Sequence, residues 1–174
     1  MWKRILYIIV VITGVLMLPC HYLSPYSSAH NIAFVIRESR IVFKDNVILA
    51  KLAAAQSILE SNLYGTPSKL AYNYNNLFGI KGSGTAGSVW LQTTECFSKC
   101  IQLDAKFAVN ETIGDSFKQY RAVLEHNRYK NVWKSKTFEE AARLVQADGY
   151  ATDKSYSKQL IAIYNKYIKN STET

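Results

Sequence analysis

Between Arg37 and Asn62 the chain runs for 26 residues, RESRIVFKDNVILAKLAAAQSILESN, without a glycine or a proline. Apolar side chains return at helical spacing, at Ile41, Ile48, Leu52, Ala55 and Leu59, and an uninterrupted run with that period predicts one long helix. Ala53, Ala54 and Ala55 keep its surface narrow enough for a neighbour to approach closely, so the helix is expected at the centre of the domain. Tyr64-Gly65-Thr66-Pro67 ends it. A length of 174 residues suits one domain with one core.

The rest of the chain supplies partners for that helix. Ser68 to Lys81 reads as a short helical turn and then an Asn- and Tyr-rich passage opening into Gly79. Residues 82–88, GSGTAGS, hold three glycines and are expected to form a flexible loop. VWLQTTEC and CIQLDAKFAV follow, rich in β-branched and aromatic residues, and predict a hairpin. Helices are expected at about Ile113 to Asn127, Thr137 to Asp148 and Ser155 to Asn170. Thr137 and Glu140 have the spacing of a capping box, and Asp153 or Ser155 can cap the last helix, whose Leu160, Ile163, Tyr164, Tyr167 and Ile168 share one apolar face. The expected class is α+β, mainly α, with one small hairpin lobe.

The first residues concern destination rather than fold. Lys3 and Arg4 precede an uncharged apolar run from Ile5 to Leu18, which stops at Pro19. This is the order of an export signal, and the run is shorter than the ~17–25 apolar residues of a membrane span. Ser27-Ser28-Ala29 resembles a small-residue cleavage site. Residues 1–29 therefore read as a signal peptide cleaved after Ala29 or as a retained N-terminal membrane anchor, with a buried soluble-domain helix as the third reading. The first two place residues 30–174 outside the cytoplasm. There Cys96 and Cys100 would meet conditions in which disulfides persist. Separated by Phe97-Ser98-Lys99, they lack the C-x-x-C spacing of redox and metal motifs, which leaves either a disulfide across a hairpin or two unpaired thiols.

The formal charge of +8, from 21 Lys and Arg against 13 Asp and Glu, favours polyanionic partners: nucleic acid, anionic lipid headgroups or acidic wall polymers. The basic residues are spread along the chain instead of forming the block expected of a nucleic-acid tail. GIKGSG lacks the Lys-Ser or Lys-Thr ending of a phosphate loop. The sequence offers no metal-ligand cluster, and no cofactor is expected.

Two carboxylates draw attention. Glu60 lies late in the apolar helical run, just before the aromatic passage from Tyr64 to Tyr74. Periodicity alone equally allows a solvated carboxylate at a helix end. Glu95 stands in a β-branched strand, where it must face water or a cleft. Cleavage of a glycosidic bond needs a carboxylic acid kept protonated by a partly apolar setting and a second group at the anomeric carbon.

Several motifs now agree in order. Ala55-Gln56-Ser57-Ile58-Leu59-Glu60-Ser61 is followed by Asn76-Leu77-Phe78-Gly79-Ile80-Lys81, Thr93-Thr94-Glu95, Phe117-Lys118-Gln119-Tyr120 and Asp148-Gly149-Tyr150-Ala151-Thr152-Asp153. This series resembles the glucosaminidase family, glycoside hydrolase family 73, which has a mannosyl-glycoprotein endo-beta-N-acetylglucosaminidase-like domain and includes flagellar muramidases and bacterial autolysins. The best-matched part is residues 46–167 of a domain spanning 30–174.

The resemblance implies a lysozyme-like helical fold with a β-hairpin lobe. Its substrate would be the glycan strand of peptidoglycan, cut between N-acetylglucosamine and N-acetylmuramic acid by an endo-acting hydrolase. It also implies Glu60 as general acid, Glu95 on a mobile hairpin as second carboxylate, and Tyr150 near Glu60, orienting the sugar or the carboxyl group. Asn76, Phe78 and Tyr120 are the expected groove and substrate contacts, Phe78 being equally suited to the core. The family commonly has an aromatic residue where Cys96 follows the T-T-E motif, and Arg where Lys118 stands. A lytic transglycosylase on the same fold and a noncatalytic wall-binding or assembly protein are the alternatives.

Overall fold

A computed structural model of the protein describes residues 23–24, 27–96 and 100–171, with the backbone alone at 95, 96 and 100. The apolar run from Ile5 to Leu18 lies outside the described residues. Among those described, no helix is long and apolar enough to cross a membrane.

The expected long helix is two helices, α1 (Ser28–Val42) and α2 (Val47–Glu60). The break falls at Lys44-Asp45-Asn46, where short polar side chains offer the backbone better partners than a continued helix does. The Asn46 side chain accepts the Leu49 N–H at 3.1 Å and caps α2. The Asp45 carboxylate takes both arms of the Arg121 guanidinium, at 2.6 and 2.8 Å. Phe43 is fully buried at the joint and fixes the angle between the helices by packing.

Helix α2 is central, as its alanines suggested. Every residue from Leu49 to Ile58 except Lys51 is buried. It packs against α1 on one side and, on the other, against α5 (Phe138–Ala147) and α6 (Tyr156–Ile163), which continues as a wider turn over Tyr164–Ile168. Each fully buried Leu or Ile here, such as Leu49, Leu52 and Ile58, contributes roughly 1.5–3 kcal/mol through removal of apolar surface from water. Helices α3 (Lys69–Tyr74) and α4 (Ile113–Leu124) complete the helical body, with α4 lying against α1.

The predicted hairpin is strands β1 (Ser88–Cys96) and β2 (Cys100–Ala108), antiparallel and in register from Ser88 opposite Ala108 to Cys96 opposite Cys100. Its base sits in the body through buried Ala105 and Phe107, while Trp90 is 67% exposed. The proposed Cys96–Cys100 disulfide depends on side chains outside the described residues.

The glycine-rich stretch 82–88 is a tethered turn rather than a free loop. Gly84 bridges to Gly87, Lys81 bridges to Phe107, and the Gly82 and Ala86 N–H groups donate to Lys106 and Val109 carbonyls at 2.8 and 2.9 Å. Its glycines serve close approach: a Cβ on Gly84 would lie 2.8 Å from the Val109 carbonyl carbon.

The expected cap of α5 is half formed as a box. The Thr137 hydroxyl oxygen accepts the Glu140 N–H at 3.2 Å, but the Glu140 carboxylate reaches the Lys136 N–H, at 2.7 Å, one residue before the cap. At α6 it is Asp153 that binds the start of the helix, accepting the Ser155 N–H at 2.8 Å.

Candidate active site

Glu60 is the last residue of α2, and its side chain opens into a cleft of about 530 Å³ lined by Leu59, Phe78, Tyr150, Thr152, Asp153 and Tyr156. The sequence around it folds so that one wall comes from the end of α2, one from the loop before the hairpin and one from the turn leading to α6. A larger cavity, about 980 Å³, lies between α1 and the C-terminal turn and has no carboxylate in its lining. Of the two cavities, the smaller holds the motif carboxylate.

Glu60 is exposed to water at the cleft, while the protein packed behind its carboxyl displaces part of its hydration. That loss of hydration raises the carboxyl pKa above its ordinary value, and a hydrogen bond from Tyr156 only partly opposes the rise. The Tyr156 hydroxyl donates to Glu60 Oε1 at 2.6 Å. Its own oxygen accepts from the Gln56 side-chain amide at 2.8 Å, and the Tyr120 hydroxyl donates to Gln56 Oε1. Four side chains thus form one chain of hydrogen bonds from the core to the cleft. Burial and the neighbouring Glu60 charge push the Tyr156 phenol upward, so it remains a donor throughout the pH range of a folded protein.

The other expected site residues fall in different places. Tyr150 lines the cleft with Glu60, and its phenol is raised first by burial and then by the Glu60 charge. Tyr156, not Tyr150, makes the hydrogen bond to Glu60; the two rings lie 6.0 Å apart at 25°. Phe78 serves both readings, lining the cleft while stacking on Tyr120 at 4.1 Å and meeting Phe117 edge-on at 5.3 Å.

The structure places Tyr120 and Asn76, the other expected groove and substrate contacts, beneath the cleft. Tyr120 is fully buried, its ring between Phe43 and Phe78 and its hydroxyl spent on Gln56, so no sugar reaches it. Asn76 is 1% exposed, with its amide hydrogens donated to the Ile80 and Ala108 carbonyls, both at 2.9 Å. Its oxygen accepts the Ile80 N–H at 3.0 Å. It shapes the site from beneath by tying the 76–80 turn to the hairpin base.

Glu95 stands one pair before the hairpin tip, opposite Ile101, and its side chain lies outside the described residues. A further carboxylate in the cleft, Asp153, is engaged locally: its oxygens accept from Ser155 and Gln159. Those bonds, the Ser155 N–H foremost, hold its pKa below the ordinary value. The two cleft carboxyls are thus shifted in opposite directions, Glu60 upward by desolvation and Asp153 downward by its hydrogen bonds.

The sequence reading missed Gln56 and Tyr156. A signal for the first existed, since Gln56 is a long polar side chain in the middle of the apolar run LAAAQSIL. Tyr156 carried no such mark. No group of His, Cys, Asp and Glu among the described residues could hold a metal ion.

Known proteins agree with this geometry. A family model described as mannosyl-glycoprotein endo-beta-N-acetylglucosaminidase matches residues 39–169. The exo-glucosaminidase LytG of Bacillus subtilis is 33% identical over 136 residues, covering 74% of this chain and 48% of the relative. A probable N-acetylmuramidase of Lactococcus lactis subsp. cremoris is 30% identical over 150 residues, covering 81% of this chain and 34% of that protein. The chain therefore spans half or less of the length of these curated relatives. The catalytic domain of the autolysin Auto from Listeria monocytogenes superposes with a TM-score of 0.72 at 27% identity, covering 89% of this chain and 90% of that domain. With the family model matching residues 39–169, most of the sequence, the chain belongs to the glucosaminidase family.

Proposed function

We propose that the protein is a peptidoglycan hydrolase of the cell envelope that cleaves the β-1,4 bond between N-acetylglucosamine and N-acetylmuramic acid, with Glu60 as general acid. The observation that carries this reading is the state of Glu60: a carboxyl with a raised pKa in an open cleft walled by Phe78, Tyr150 and Tyr156. A neutral carboxyl can protonate the glycosidic oxygen as the bond to the anomeric carbon breaks. Aromatic faces suit the apolar face of a pyranose. The printed names of the relatives divide between glucosaminidase and muramidase; the family model's description supports the first, and the T-T-E and G-Y-A-T-D motifs favour this family over a lytic transglycosylase.

Glu95 is our candidate for the second carboxylate. It stands on β1 opposite Ile101, within the T-T-E motif that carries the family resemblance. If it positions water for an inverting attack, its carboxyl closes to about 6.5–9.5 Å from Glu60; about 5–5.5 Å would instead suit a covalent intermediate. The N-acetyl group of the substrate is the third possible nucleophile. The net charge of +8 suits an anionic wall, and the N-terminal segment either directs export or keeps the enzyme at the membrane.

Mass spectrometry of products released from purified peptidoglycan tests the reading, with Glu60→Gln as control. Reducing N-acetylglucosamine ends that vanish in the variant are expected. Anhydro-muramyl ends would make the protein a lytic transglycosylase. Binding without products from the folded wild type would leave a noncatalytic wall-binding role.

A further inference from the structure

The hydrogen-bonded chain behind Glu60 has a direction, and one residue sets it. Gln56 lies one helical turn before Glu60 on α2, so both side chains share a face, and Gln56 is fully buried. A side-chain amide has one end that only donates and one that only accepts. The fully buried Tyr120 hydroxyl donates to Gln56 Oε1 and to no other acceptor among the described residues. A buried hydroxyl left without an acceptor is destabilising, which fixes the oxygen end of the amide inward. The amide hydrogens then face Tyr156, whose oxygen accepts at 2.8 Å. With its oxygen so engaged, Tyr156 turns its one proton to Glu60 Oε1 at 2.6 Å.

We propose that Gln56 is a positioning residue that sets the polarity of this chain, so that the transferable proton of Glu60 is carried on Oε2 and not on Oε1. Oε1 already accepts the Tyr156 proton, whereas Oε2 has no hydrogen-bond partner among the described residues and is left for the substrate. With the amide reversed, Tyr156 would donate inward to the Gln56 oxygen and its own oxygen would accept from a protonated Oε1. The proton would then be tied up between two protein groups. In the working orientation the proton passes from Oε2 to the glycosidic oxygen, which also takes the electron pair of the breaking C–O bond. The negative charge appearing on the carboxylate strengthens the bond from Tyr156 at that moment.

This inference rests on Glu60 being the acid. Its test is the pH dependence of kcat and KM on soluble glycan strands for the full chain and for Gln56→Met, Tyr120→Phe and Glu60→Gln. In Gln56→Met the Tyr156 oxygen loses its amide donor, so the Tyr156 bond to the ionised Glu60 weakens and the Tyr156 proton is no longer held on Oε1, which lets the neutral acid carry its own proton on either oxygen. The alkaline limb of kcat/KM should therefore move to higher pH while kcat falls about tenfold, a part of the ~10²–10⁴-fold that a positioned acid supplies, with KM unchanged. Mere loosening of the core would admit water to Glu60 and move the limb to lower pH. A limb that stays or moves down, or an undiminished kcat, overturns the proposal. Tyr120→Phe frees the amide to reverse and should give the same signs with smaller size, which keeps the test open if Gln56→Met does not fold. Activity surviving in Glu60→Gln would instead overturn the assignment of the acid itself.

Discussion

Replacing Tyr120 by Phe removes one oxygen from the interior and separates two accounts of that residue. In the structure the ring is stacked on Phe78 at 4.1 Å and the hydroxyl serves Gln56 Oε1 in a place closed to water. Phe keeps the ring packing, so the change isolates the hydrogen bond. One end of the buried Gln56 amide, its oxygen or, once reversed, its hydrogens, is left facing the introduced Phe ring without a partner, a loss of about 1–3 kcal/mol, and for a chain of this size each kcal/mol lowers Tm by about 2–4 °C. Differential scanning calorimetry and urea unfolding of both proteins measure this directly, and KM on soluble glycan strands should not change. A variant with wild-type Tm and a raised KM would refute the burial argument and return Tyr120 to the sugar-contact role that its place in the sequence motif suggests.

Three further outcomes follow from other parts of the molecule. Gly84→Ala places a Cβ against the Val109 carbonyl, backbone that cannot move aside, and should lower stability by about 1–3 kcal/mol in urea titration. Arg121 holds the Asp45 carboxyl at about 2 against an ordinary 3.8, so the stability that this pair adds is present above pH 3.8 and disappears as pH falls through about 2. The Tm gap between wild type and Asp45→Asn should close over that window. Glu60 has the opposite sign: its carboxyl is raised above the ordinary 4.5, so its contribution is complete below pH 4.5 and is lost as pH rises through the folded value. Inactive Glu60→Gln should therefore gain in Tm relative to wild type as pH increases, and a constant difference across pH would contradict this.

Period and composition carried the helical body, the hairpin and the central place of α2, because those features follow from local pattern and from small side chains in a row. They misjudged the join between α1 and α2, where the apolar spacing runs on through Lys44-Asp45-Asn46 although the side chains there bind Arg121 and cap the next helix. Glycine content misread residues 82–88, since the same residue that frees a loop also lets two backbones touch. Glu60 was legible through the motif and its place before an aromatic passage. Tyr156 was not, because its partners Glu60 and Gln56 stand 96 and 100 residues away and nothing local announces them. The burial of Tyr120 and Asn76 was illegible for a different reason: Tyr and Asn suit a sugar groove and a satisfied interior equally, and local pattern does not separate the two.

The site also breaks the rules that elsewhere make the sequence readable. A carboxylate at the last position of α2 faces the negative end of the helix dipole, which disfavours its ionised form, and α2 has no basic residue in its last turn to offset this. A fully buried amide in the middle of an alanine-rich helix likewise demands partners on both ends that an apolar residue would not. For stability alone a lysine at position 60, and a leucine at position 56 with phenylalanine at 120, would serve better. Both departures act in one direction on one group, since the helix end and the enclosing protein favour a neutral Glu60 while Gln56, through Tyr156, reserves one of its oxygens as an acceptor. A chain selected only to fold has no use for that combination, whereas a chain that must deliver a proton at a fixed point requires it.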